Sequence, residues 1–105
     1  WGSGPDDVWA VGNNGMCFHW DGADWNPCDP GAYVHLWAIS GSSASDIIVG
    51  GVNGARLPRF DGTQWAPIAV PSTSAVYDLT VIPGYGLIAV GFGGSVDTLI
   101  YPGVL

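Results

Sequence analysis

The sequence predicts an all-β chain built from repeated four-stranded units, and three observations predict it. Turn-forming residues are abundant, with 17 Gly, 8 Pro and 9 Asp in 105 residues, while Lys and Glu are absent. Lys and Glu are good helix formers, whereas Gly and Asp settle in turns. Apolar runs rich in Val and Ile alternate with these turns, as short strands require. Finally, the same landmarks return about every forty residues, the mark of a repeat architecture.

The landmarks define the elements in order. Asp7-Val8-Trp9-Ala10-Val11-Gly12 aligns with Asp46-Ile47-Ile48-Val49-Gly50-Gly51 and with Gly86-Leu87-Ile88-Ala89-Val90-Gly91. The turns that follow are His19-Trp20-Asp21-Gly22, Arg59-Phe60-Asp61-Gly62 and Ile100-Tyr101-Pro102-Gly103, with their glycines 40 and 41 residues apart. Leu36-Trp37-Ala38-Ile39-Ser40, ahead of the second unit, aligns with Leu79-Thr80-Val81-Ile82 ahead of the third.

The second unit therefore reads as four strands, Leu36–Ser40, Asp46–Gly50, Ala55–Phe60 and Gln64–Val70. The first unit lacks most of its opening strand, and the third stops before its closing one. Asp-Gly at 21–22 and 61–62, between aromatic-rich runs, marks two tight hairpins, since Gly takes positive φ without strain. Runs such as Ile47-Ile48-Val49 are apolar without alternation, as strands covered on both faces are.

Four strands in about 40 residues is the spacing of β-propeller blades. The expected fold is all-β and propeller-like, about two and a half four-stranded antiparallel blades in a single repeat array. Residues 1–35 form a first, partial blade, 36–76 a complete one and 77–105 a third, partial one. Such an array is incomplete on its own, because each sheet must be covered by a neighbour. Its expected partners are further blades of a longer chain or other copies of itself.

The segment Trp1-Gly2-Ser3-Gly4-Pro5-Asp6-Asp7-Val8-Trp9-Ala10-Val11-Gly12, followed by His19-Trp20-Asp21-Gly22 and Trp25, resembles the propeller-type repeat of large secreted proteins and lipoproteins of myxobacteria and related bacteria. The second unit keeps the pattern in Ser45-Asp46-Ile47 and Arg59-Phe60-Asp61-Gly62. The third keeps little of it, with Pro102 in place of the turn Asp and no trailing Trp. The resemblance implies the fold and an extracellular or cell-surface setting, with the periplasm as the alternative. It carries no shared catalytic residues, and propellers host many unrelated functions.

Charge narrows the partners. Nine Asp against Arg56 and Arg59 give a formal net charge of −7, which disfavours nucleic acid and anionic membrane surfaces alike. No apolar run is long enough to span a bilayer, so membrane insertion is not expected.

Cys17 and Cys28 are the only cysteines. If the first hairpin centres on Gly22-Ala23, Trp20 faces Trp25 and the same register sets Cys17 opposite Cys28, close enough for a disulfide at a non-hydrogen-bonded pair. A longer turn would change that register, and two buried thiols are the alternative. A disulfide would place the chain outside the cytoplasm.

The remaining candidates divide between chemistry and structure. Asp21 and Asp24 are a weak metal alternative, since calcium wants six to eight converging oxygens. Asp6, Asp7 and Asp46 are expected to accept backbone N–H bonds before a strand, and Asp21 and Asp61 to set the hairpin turns. No cofactor is expected. The stretches Gly12-Asn13-Asn14-Gly15 and Gly91-Phe92-Gly93-Gly94 precede no helix and read as strand connections rather than phosphate loops.

His19 and Arg59 share one repeat position and read as exposed or half-exposed polar residues of an outer strand. Neither His19 nor His35 has an evident nucleophile and orienting partner. Among the six Trp, Trp20 and Trp25 recur as Phe60 and Trp65, as packing between blades demands.

Possible ligand contacts are Trp20, Trp25, Trp65, His19 and Arg59. The expected function is a non-enzymatic extracellular scaffold or binding module, presenting loops to protein or glycan partners and able to self-assemble through open edge strands. The alternatives are a propeller lectin, or a piece of a propeller-based hydrolase or lyase completed by other blades.

Overall fold

The structure, a computed structural model, describes residues 1–31, 34–52, 56–69, 75–84, 86–91 and 96–99. Among the described residues, eleven strands lie in three antiparallel sheets. The first sheet is β1 (Gly2–Gly4), β2 (Asp7–Val11), β3 (Cys17–Trp20) and β4 (Trp25–Pro27), in sequential order. The second is β5 (Leu36–Ser43), β6 (Asp46–Gly51), β7 (Arg56–Phe60) and β8 (Trp65–Ala69), again sequential. The third holds β9 (Val76–Ile82), β10 (Gly86–Gly91) and β11 (Val96–Leu99). The sheets do not close into a ring. The expected strand start at Ala55 and strand end at Val70, the 92–95 connection and the 100–103 turn lie outside the described residues.

Each sheet is a meander because its connections are too short for anything else. Gly22 and Gly62 turn the β3–β4 and β7–β8 hairpins at φ +98° and +103°, where a side chain would be strained. A Cβ on Gly22 would also stand 2.9 Å from the Asp6 carboxylate, and one on Gly62 2.8 Å from Ser45 Cβ. In both units the outer hairpin thus closes down on the turn between the first two strands. The Gly12–Gly15 connection holds a single 3-10 turn at Asn13–Gly15, with Asn14 at φ 59°.

The sheets stack face to face. Trp9 and Cys17 of the first sheet meet Ile47 of the second, with Val11, Ile39, Phe60 and Trp65 around them. Ile48 and Leu57, from the other face of the second sheet, meet Leu79, Val81, Leu87 and Ala89 of the third. Adjacent residues Ile47 and Ile48 therefore enter different cores, and both are 0% exposed. This is why that strand shows no polar alternation.

Two alignments made on sequence shift. Thr98 and Leu99 pair with Ile88 and Leu87 as Arg59 and Phe60 pair with Ile48 and Ile47, so they, rather than Ile100 and Tyr101, are the counterparts of Arg59 and Phe60. The opening strand shifts by three residues. In the second sheet Leu36 pairs with Gly51 and Ala38 with Gly50, which leaves Trp37 as an extra, bulged residue. In the third, Val76 pairs with Gly91 and Asp78 with Val90, which leaves Tyr77 bulged. Val76 rather than Leu79 is thus the counterpart of Leu36. Apolar alternation fits both alignments equally well, but the bulge and its facing glycine set the register. Gly51 is required there, because a Cβ would collide with the His35 carbonyl.

Candidate functional site

Two clusters of polar side chains lie partly buried, around Asp7 and around Asp46. Asp7 begins β2, and His19 stands across from Trp9 on β3. Asp7 Oδ1 lies 2.6 Å from His19 Nε2 and accepts from Trp9 Nε1 at 3.1 Å, while Ser3 Oγ donates to Asp7 Oδ2. The Trp9 indole stacks on the His19 ring, with centroids 4.0 Å apart and planes at 23°. Burial pushes the Asp7 pKa up, but the bonds from Ser3, His19 and Trp9 outweigh it and hold it below the usual value.

One unit on, the arrangement is repeated in the same register, since Arg59 stands across from Ile48. Ser42 Oγ donates to Asp46 Oδ2, and Arg59 Nε donates to Asp46 Oδ1 at 2.8 Å. Asp7 and Asp46 therefore each hold a serine and a basic side chain, a role not expected from the sequence. Asp46 is buried, and a buried carboxylate needs a cation and hydrogen bonds around it.

Ser, Asp and His in one cluster invite comparison with a nucleophilic triad, and the geometry differs from one. In such a triad the imidazole stands between hydroxyl and carboxylate. Here the carboxylate stands between them, so the base does not reach Ser3 Oγ. In the second unit the imidazole is replaced by a guanidinium, which takes up no proton. The cluster ties β1, β2 and β3 together.

The cysteines form a Cys17–Cys28 disulfide with Cα atoms 5.0 Å apart. Trp20 pairs with Trp25, so the register expected from the hairpin is the one observed. Cys28 N–H donates to the Cys17 carbonyl at 2.9 Å, however, which makes the bridged pair a hydrogen-bonded one where a non-hydrogen-bonded one was expected. The loop carboxylates serve the turns. Asp21 Oδ1 accepts from the Ala23 and Asp24 N–H groups at 2.9 Å, and Asn26 Nδ2 donates to Oδ2. Asp61 Oδ1 accepts from Thr63 and Gln64.

These bonds lower both pKa values, through Asp24 and then Ala23 for Asp21, and for Asp61 to about 2 through Gln64 and then Thr63. Asp21 is committed to its turn, and among the described residues no group of three or more His, Cys, Asp or Glu is placed to hold a metal ion.

The aromatic candidates separate. Trp65 packs with Phe60 against Trp9, at centroid distances of 5.4, 5.9 and 5.0 Å for the three pairs Phe60–Trp65, Trp9–Trp65 and Trp9–Phe60. The equivalent Trp20–Trp25 pair has its rings 5.7 Å apart. It lies on the face of the first sheet that no other sheet covers, and Trp25 is 50% exposed. The structure thus leaves Trp20 and Trp25 on an outer surface and engages Trp65, His19 and Arg59 between sheets.

Comparison of the chain with protein-family profiles, with curated proteins and with solved structures found no match. The site is therefore read from its own chemistry. Reasoning on sequence missed the Ser–Asp–His and Ser–Asp–Arg clusters, although Ser3 and Ser42, Asp7 and Asp46, and His19 and Arg59 stand 39, 39 and 40 residues apart. It also missed Tyr77 as a partner of Trp37, because their equivalence depends on the bulge. Among the described residues no helix is long and apolar enough to cross a membrane.

Proposed function

We propose that the chain is a non-enzymatic scaffold and binding module of β-propeller type, part of an array of blades that works outside the cytoplasm. One observation carries this reading: each outer sheet leaves uncovered a face that carries large apolar side chains and whose counterpart on the inner sheet is buried. Trp20, Trp25 and Val8 occupy, on the first sheet, the places of Phe60, Trp65 and Ile47 on the second. In the second sheet these are covered by Trp9, and Ile47 is fully buried. At the far end Leu87 and Ala89 are buried while Val90, on the opposite face of the same strand, is 42% exposed. Such faces ask for another unit of the same repeat, from this chain or from other copies.

The Cys17–Cys28 disulfide supports an oxidising compartment, and the net charge of −7 supports protein or glycan partners over phosphate-rich ones. The test is the mass of the folded particle by light scattering after size exclusion. The expected result is a discrete multiple of 10.9 kDa, reduced by Trp25→Glu, which sets a charge on the open face. A stably folded 10.9 kDa monomer would overturn the reading.

A further inference from the structure

We infer that Trp37 and Tyr77 form a binding platform for a pyranose ring of a neutral glycan. This rests on reading the chain as a binding module and names a ligand class for an aromatic pair other than Trp20–Trp25. The two aromatics are placed by one device used twice. Each is the extra residue of a bulge in the opening strand of its unit, each bulge faces a glycine (Gly51 or Gly91), and the two stand forty residues apart. A bulge re-aims a side chain that regular pleating would direct elsewhere. Here it holds two large aromatics outward, 45% and 50% exposed, although burying such a side chain would contribute roughly 2 kcal/mol.

The rings meet one another, with centroids 5.4 Å apart and planes at 38°. That contact decides between ligands. An aromatic cage for a quaternary ammonium needs ring faces far enough apart to admit the cation, each within about 6 Å of it. Rings 5.4 Å apart are already in direct contact and leave no slot between them. A ligand must lie across their outward surfaces, where a flat array of C–H groups meets the electron-rich ring faces.

A sugar ring offers such a surface. An anionic ligand would meet a chain of net charge −7, so the sugar is a neutral one. Two side chains offer far less area than the roughly 800 Å² per partner of a stable protein interface. Exposed His35, two residues before Trp37, and exposed Asp78, directly after Tyr77, are the polar side chains nearest to the pair in sequence.

The test titrates the folded, oxidised chain with hexaoses of the cellulose, chitin, mannan, xylan and starch series. Calorimetry reads affinity, and saturation-transfer NMR reads which protons touch the protein. The expected result is binding of at least one series through the C–H protons of one ring face. Trp37→Ala and Tyr77→Ala should each weaken it at least about tenfold, as loss of a stacked ring does. Trp37→Phe should retain most of it, and Gln64→Ala, at the exposed β7–β8 corner, should leave it unchanged.

No binding to any series, binding that survives the Trp37→Ala/Tyr77→Ala double variant, or choline binding at the pair in place of sugar would each overturn the proposal. Particle mass, measured on the same samples, reports the array separately. A monomer that binds sugar through Trp37 refutes the array alone, and a multimer that binds none refutes the platform alone.

Discussion

Asp46 accepts the Nε–H of Arg59 at 2.8 Å between the second and third sheets, and the repeat keeps or loses the two together. In the first unit the pair is Asp7 with His19. In the third, Gly86 stands in place of Asp46, and Thr98, which pairs with Ile88 as Arg59 pairs with Ile48, in place of Arg59, so carboxylate and cation are both gone. A carboxylate buried without a counter-charge is costly, whereas replacing both groups with apolar ones can be near neutral.

Asp46→Ala should therefore destabilise the fold by about 2–3 kcal/mol, because the mostly buried Arg59 guanidinium loses its carboxylate. The double variant Asp46→Ala/Arg59→Met should recover part of that loss. Urea unfolding of the two single variants and the double one measures the coupling.

Trp9 and Trp25 should respond in opposite ways. Trp9 is 6% exposed and touches His19, Phe60 and Trp65, so Trp9→Ala should cost about 3–5 kcal/mol and uncouple the first sheet from the second. Trp25→Ala, at a half-exposed ring, should change unfolding of the isolated chain by less than about 1 kcal/mol. Near-ultraviolet dichroism followed through denaturation distinguishes the two.

The Cys17–Cys28 bond closes a short loop, with a sequence separation of 11. Cys17→Ser/Cys28→Ser, or reduction, should lower stability by about 3 kcal/mol on the loop-entropy account. Denaturation midpoints with and without reductant give the difference directly.

Acid should weaken the hairpin turns. Asp61 titrates at about 2 in the folded chain against 3.8 as its ordinary value, because the Gln64 and Thr63 N–H groups bind its charged form. A lowered folded-state pKa contributes stability that is complete above about pH 4 and disappears as pH falls towards 2. Asp7 and Asp21 are shifted in the same direction. Thermal midpoints should fall across that interval, and less steeply in Asp61→Ala.

The sequence alone determined the strands and the hairpin corners, and it set Cys17 opposite Cys28 with two thiols as the other reading. These depend on local rules: Asp-Gly turns its own backbone, apolar runs mark covered strands, and a two-strand register follows from its turn. Thus the strand at Asp46–Gly51, the turns at Gly22 and Gly62 and the pairing of Cys17 with Cys28 were all legible.

Only the tertiary structure decided which face of each strand meets a neighbour. Whether Asp7 serves a backbone or His19, whether Trp25 is covered, and whether Trp37 and Tyr77 share a place all depend on how the sheets pack and where a bulge interrupts pairing. Those outcomes turn on single-residue shifts that leave the apolar pattern unchanged, and a pattern that fits two registers cannot choose between them.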